Sequence, residues 1–145
     1  MMAAHVAFVS AGAFFLVGLL TGVWKYQCIA SSKEAAAPAY VDIAHRASLM
    51  YAFACMLLAE FAARSVWPTT VNTIAVIVLV AWFAIAVLGY VMHGILRDTD
   101  NQLRRPHRLG SRTIAPSTLH TLMVALIVGE VGGFLVLFVG AVAGL

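Results

Sequence analysis

Charge is scarce in this chain: Lys, Arg, Asp and Glu make up 10% of its 145 residues, against about 25% in a soluble domain. With 63% hydrophobic residues and a mean hydropathy of +0.96, a water-facing shell cannot be built all round. An ordinary soluble globule is therefore excluded. Cysteine is nearly absent too, with only Cys28 and Cys55. No CxxC or CxxCH occurs, so a disulfide framework and covalent c-type haem attachment have no basis. Neither HExxH, nor a compact Cys/His cluster, nor a paired-carboxylate motif is present, and no structural metal site is expected.

What the chain does have is long uncharged runs. The first extends from His5 to Trp24, ahead of Lys25. A second runs from His45 to Ala63, broken only by Arg46 and Glu60. A third covers Val71 to Leu96 with no formal charge, and a fourth runs from Ser117 to Leu145 around Glu130. About 20 helical residues cross the hydrocarbon core. Only helices or closed barrels satisfy their backbone in lipid, and these runs are too long for barrel strands. The expected fold is all-α: one domain over residues 1–145, a polytopic membrane protein with four transmembrane helices. The first run has no basic residue before it and is longer than a signal-peptide core, so it is expected to stay as helix one.

Basic residues set the expected orientation. Lys25, Lys33, Arg46, Arg97, Arg104, Arg105, Arg108 and Arg112 fall on one side, and Arg64 alone on the other. The positive-inside rule places both long loops in the cytoplasm and both termini outside the inner (plasma) membrane. The Arg97–Arg112 loop suits anionic lipid headgroups. Because topology already explains this basic excess, no nucleic-acid partner is expected. Pro68 marks the short outer turn, and Pro106 and Pro116 punctuate the long inner loop. Trp24, Tyr26, Tyr40 and Trp67 read as interface anchors.

Glycines recur four residues apart: Gly18 and Gly22, Gly129 and Gly133, Gly140 and Gly144. Each pair lies on one helix face and permits close backbone contact, within one subunit or between copies. So small a bundle buries little around a cofactor alone, which favours a homo-oligomer.

The topology brings His45, His93 and His120 to one membrane surface, with His5 at the other. His93 shares a helical stripe with Tyr90, Ala86 and Trp82. His45 projects with Leu49 and Ala52 beside Tyr51, and His120 with Val124, Ile127 and Val131. Ionisable groups in a membrane usually face a bundle interior, and neutral imidazole is a common ligand. A haem or metal environment and a set of interfacial hydrogen bonds are the two readings. Glu60 and Glu130 likewise read as a proton path or as interhelical hydrogen bonding.

The segment Ala44-His45-Arg46-Ala47-Ser48-Leu49-Met50-Tyr51-Ala52-Phe53 resembles the start of helix two in bacterial styrene oxide isomerases, small four-helix membrane enzymes. The layout of His5, Gly12, Gly18 and Trp24, and a tyrosine-bearing third helix, is similar as well. The resemblance implies a homo-oligomer, a trimer in that family, and b-type haem held by His45. It implies ferric iron acting as a Lewis acid on an epoxide, with ring opening and a hydride shift to an aldehyde. Tyr90 matches the tyrosine that positions the epoxide. Where the family has an asparagine six residues after its haem histidine, this chain has Tyr51. Arg46 can reach the headgroup region or neutralise a haem propionate, and His93 and His120 are further axial candidates. The leading expectation is a haem-b-dependent isomerase acting on a small hydrophobic epoxide. A bis-histidine electron-transfer or quinol-linked cytochrome subunit competes with it, as does a cofactor-free structural or transport subunit.

Overall fold

A computed structural model describes all 145 residues. The chain forms α1 (Met2–Ser31), α2 (Ala39–Arg64), α3 (Thr69–Leu96) and α4 (Pro116–Val142), with a two-stranded hairpin, β1 (Arg108–Leu109) and β2 (Arg112–Thr113), before α4. All four helices are long and apolar enough to cross a membrane. They begin earlier than the uncharged runs do: α1 continues past Lys25 to Ser31, and α2 starts at Ala39. A helix keeps its backbone satisfied through the headgroup layer, so it need not stop where hydropathy stops.

Proline sets three of the starts. Pro38 and Pro68 stand at the N-caps of α2 and α3, and Pro116 is the first residue of α4. Its fixed φ and missing N–H suit a first turn whose N–H groups lack helical partners. At the end of α3, Arg97 takes left-handed backbone angles (φ 50°, ψ 35°) while its N–H bonds the His93 carbonyl at 2.8 Å.

Small side chains draw α1 and α2 together. Ala3, Ala7, Ala11, Phe14, Gly18 and Thr21 make the buried stripe of α1, facing Ala44, Ser48, Ala52 and Cys55 of α2. A Cβ on Gly18 would come within 2.5 Å of Leu49 Cδ2. Stripes of this kind pack helices where lipid removes the hydrophobic drive. Serine and threonine hydroxyls are satisfied inside their own helices: Thr21 donates to the Val17 carbonyl (2.7 Å) and Ser48 to that of Ala44 (2.7 Å).

Helices α2 and α3 form the centre of the bundle, with α1 and α4 on opposite sides. Tyr51 stacks on Phe83 (centroids 4.2 Å apart, planes 15° apart), and Phe14 closes the same cluster. Helix α4 is the least buried, with only Leu137, Gly140 and Ala141 inside. Its glycines nonetheless pack within the chain: Gly129 under Trp82, Gly133 against Leu79, Gly140 under Ser65 and Trp67. Two bonds staple the α2–α3 turn to this end of α4, Val66 N–H to the Gly140 carbonyl (3.0 Å) and Trp67 Nε1 to that of Val136 (2.9 Å). Of the two uses open to the glycine pairs, packing within a subunit is the one these contacts realise.

Candidate functional site

The long connection between α3 and α4 is not a plain loop. Arg108 pairs with Thr113 and Leu109 with Arg112, turning through Gly110 at φ +61°, which glycine adopts without strain. This hairpin closes one end of a cavity of about 470 Å³ between α3 and α4. Ile85, Leu88, Leu122 and Leu126 give the wall its apolar character, and Tyr51 and Tyr90 add phenols. His93, Gln102, His107 and Arg108 supply its remaining polar groups.

His93 is the best-fixed of these. It is buried, and its Nδ1 lies 2.8 Å from Asp98 Oδ1. Since an ionised carboxylate only accepts, Nδ1 carries the proton and donates. The other oxygen, Asp98 Oδ2, accepts from the Gly110 N–H at 2.5 Å, tying the hairpin to the end of α3. Burial works against charge on Asp98, but the bonds from His93 and Gly110 outweigh it and hold the carboxyl below its usual range. Tyr40 packs tilted against the His93 ring (centroids 4.9 Å apart, planes 36° apart) and its hydroxyl accepts from the Gln102 N–H at 2.5 Å. Tyr40 is only 4% exposed. It was expected as an interface anchor; instead it clamps His93 and the connection from inside, because α2 starts early enough to bring it under the α3 terminus.

His45 has different surroundings. Its ring lies on α1, where a Cβ on Gly22 would meet Cε1 at 2.8 Å. Its Nδ1 lies 2.8 Å from the Gly18 carbonyl oxygen, so Nδ1 again donates. Nε2 is left with its lone pair and no partner within the chain. A metal-bound imidazole characteristically has its other N–H held this way, by a carbonyl or carboxylate. Beside it, Asp42 accepts from Lys25 (2.5 Å) and from Arg46 (2.8 Å). Arg46 is thus partly committed to Asp42, with its side chain 65% exposed.

The three histidines therefore do not converge within one chain. His93 alone of them lines the cavity, His45 faces α1, and His120 is exposed. Residues 45 and 51 are about 120° apart on a helix of 3.6 residues per turn, so His45 meets α1 while Tyr51 meets α3. Tyr51 and Tyr90 do share the cavity. On the same α3 stripe Ala86 and His93 line it too, whereas Trp82 packs on Gly129. At the far end Glu60 pairs with Arg64; Glu130, midway along α4, keeps one buried carboxyl oxygen without a partner.

Sequence reading missed Asp98, Gln102 and His107. Asp98 lies five residues beyond His93, across the helix end, and only the left-handed turn at Arg97 brings the two together. His107 lies in a segment that reads as basic loop. No protein-family model, curated protein or solved structure matches the chain. No three His, Cys, Asp or Glu side chains cluster as a metal site.

Proposed function

We propose that this protein is a haem-b-dependent membrane isomerase that converts a small hydrophobic epoxide to the isomeric carbonyl compound, working as a homo-oligomer. The observation that carries the reading is the His45 ring, pinned through Nδ1 to the Gly18 carbonyl and leaving Nε2 free. That donor set fits an axial haem ligand. His93 is prepared in a similar way by Asp98, but it faces a cavity of about 470 Å³. A volume of that order suits one small molecule. We therefore assign the iron to His45 and the substrate to the cavity.

Bound haem would supply a Lewis-acidic iron for the epoxide oxygen. The chain does the rest. Tyr90 and Tyr51 offer phenolic hydrogens to orient a polar oxygen, and Ile85, Leu122 and Leu126 hold the hydrocarbon body. The dry wall also keeps out water, which would otherwise add to the opening epoxide and give a diol. The isomerisation moves a hydride within the substrate and needs no redox partner. As His45 lies outside the Tyr90 cavity, the reading joins the two across neighbouring copies, three by the family resemblance. Eight basic residues at the hairpin end against Arg64 at the other support a cytoplasmic hairpin in the inner membrane.

The test is direct. Protein purified after expression with ample haem should show a haem absorption band and turn an aryl epoxide into its aldehyde without an electron donor. Tyr90→Phe should keep the haem and lower turnover. Haem-free protein would sink the reading, whereas activity on a different epoxide would change only the substrate. A bis-histidine electron-transfer subunit would show six-coordinate low-spin iron instead. It has less support, because His45, His93 and His120 lie in three different surroundings.

A further inference from the structure

From the polar end of the α3–α4 cavity we infer a binding site for an amphipathic carboxylate, its acid head under the hairpin and its apolar body between α3 and α4. The inference concerns the cavity's own lining and does not depend on haem. Three observations carry it.

The first is unmet hydrogen bonding. His107 is 7% exposed, and its Nδ1 is buried with no partner. Buried polar atoms are rarely left so. The His107 ring lines the cavity, so a polar group bound there would meet this atom.

The second is the sign of the charge. Arg108 lines the same cavity and has no carboxylate partner in the chain. Its guanidinium stays charged and can only donate. The carboxyl group closest to this end, Asp98, already has one oxygen on His93 and the other on Gly110. The Arg108 guanidinium, the His107 ring and the Gln102 amide thus offer donors, while Asp98 is engaged and no carboxylate lines the cavity itself. An anion suits this set better than a cation or a neutral head, because ionised hydrogen bonds are the stronger ones.

The third is shape. Away from the hairpin the wall is apolar, built by Leu88, Leu119, Leu122, Met123 and Leu126. A bare inorganic anion would leave that wall unfilled, whereas a hydrocarbon body beneath an acid head uses both halves. Such a molecule could come from the membrane as a fatty acid or from solution as a short aryl acid. Either would compete with an apolar substrate for the Tyr51 and Tyr90 region.

The experiment is binding of radiolabelled octanoate to the purified full-length protein in an uncharged detergent, with unlabelled octanol, 4-phenylbutyrate and palmitate as competitors. Saturable binding is expected, with octanol competing at least about tenfold less well than octanoate, the loss of one charge-assisted bond. Arg108→Gln and His107→Gln should each weaken binding about tenfold on the same grounds. Leu126→Trp, which fills the apolar half, should abolish it. Better competition by palmitate would identify a membrane source, and better competition by 4-phenylbutyrate a soluble one. Octanol competing as well as octanoate, or both polar variants binding like the parent, would overturn the inference. Arg108 is exposed, so its variant keeps the fold even if that of His107 does not. Haem content is read separately by absorption. A haem-free protein that binds octanoate sinks the isomerase reading alone, and a haem protein that does not bind it sinks this one alone.

Discussion

The two organised imidazoles of this bundle are fixed by one device in opposite settings. His45 donates Nδ1–H to a backbone carbonyl, and its ring lies against Gly22 in a tightly packed helix pair. His93 donates Nδ1–H to a carboxylate that also holds the hairpin, and it borders a cavity. The carbonyl is part of a helix and cannot move without it. The carboxylate belongs to a connection that can. One ring is therefore held by a helix backbone, and the other is tied to the connection that carries the hairpin.

Removing each ring should separate the two roles. On the proposed reading His45→Ala is expected to abolish haem retention and turnover, with the helices still inserted, since it would delete the direct bond to iron and touches no core contact beyond α1. His93→Ala should leave the haem band in place and change binding in the cavity. The check is the haem-to-protein absorbance ratio of both variants after identical purification. If His45→Ala keeps the parent ratio and His93→Ala loses it, the assignments are exchanged and the cavity holds the iron.

A gentler cut leaves His45 in place and moves it. A methyl on Gly22 would stand 2.8 Å from the ring's Cε1, so Gly22→Ala must push the imidazole off its seat and stretch the bond to the Gly18 carbonyl. We expect haem content to fall several-fold while circular dichroism shows an unchanged helix content. Unaltered haem content would mean that the ring's contact with α1 does not set the ligand.

At the other ring, Asp98→Asn should loosen the hairpin. The amide keeps one acceptor but cannot serve both His93 and Gly110 as a carboxylate does, and the side chain is only 5% exposed. A buried bond lost in this way costs about 1–3 kcal/mol. Hydrogen exchange of residues 98–114 should speed up, with the centres of α2 and α3 unchanged. The pH dependence has a definite sign. Asp98 titrates below the ordinary carboxylate range in the folded chain, so the stability it gives is complete above its unfolded pKa of about 3.9. That stability is lost only as pH falls through the lower, folded value. Hairpin protection should therefore persist through about pH 4 and fail below it. Loss of protection already at pH 5–6 would show that something other than Asp98 ionisation holds the hairpin.

The four helices were legible in the sequence because lipid leaves no alternative for uncharged runs of that length. So were the glycine faces, whose spacing is itself the packing code. Tyr51 and Tyr90 sharing one cavity also followed in part from helical stripes, since Tyr90, Ala86 and His93 lie on one face of α3. The convergence of three histidines did not follow. Depth in the membrane fixes which residues share a layer but says nothing of the direction in which each points. His45 turns to α1 because Gly22 leaves room for its ring and the Gly18 carbonyl accepts its Nδ1–H, and His120 turns outward because α4 packs through Gly129, Gly133 and Gly140 instead. The Asp98 bridge depends on a left-handed residue at Arg97, which hydropathy does not register.

The smallest expected effect lies on the same helix as Gly22, and it tests the comparison from the opposite direction. Gly12 has nothing within 4 Å of where its Cβ would stand. It lines a shallow apolar groove with Phe8, Phe15, Phe53 and Met56 on the outer face of α1 and α2. Within one copy, Gly12→Ala meets no neighbour and exchanges glycine's backbone freedom for a better helix former, a gain of up to about 1 kcal/mol. Thermal stability should rise slightly, with haem content and octanoate binding unchanged, so that two glycines ten residues apart on α1 give opposite results. A second outcome is equally informative. If Gly12→Ala lowers haem content or dissociates the oligomer while the helices stay folded, then the groove is closed by another copy of the chain. The outer face of α1 and α2 would then be part of a contact between subunits, the kind of cover that the isomerase reading requires for haem.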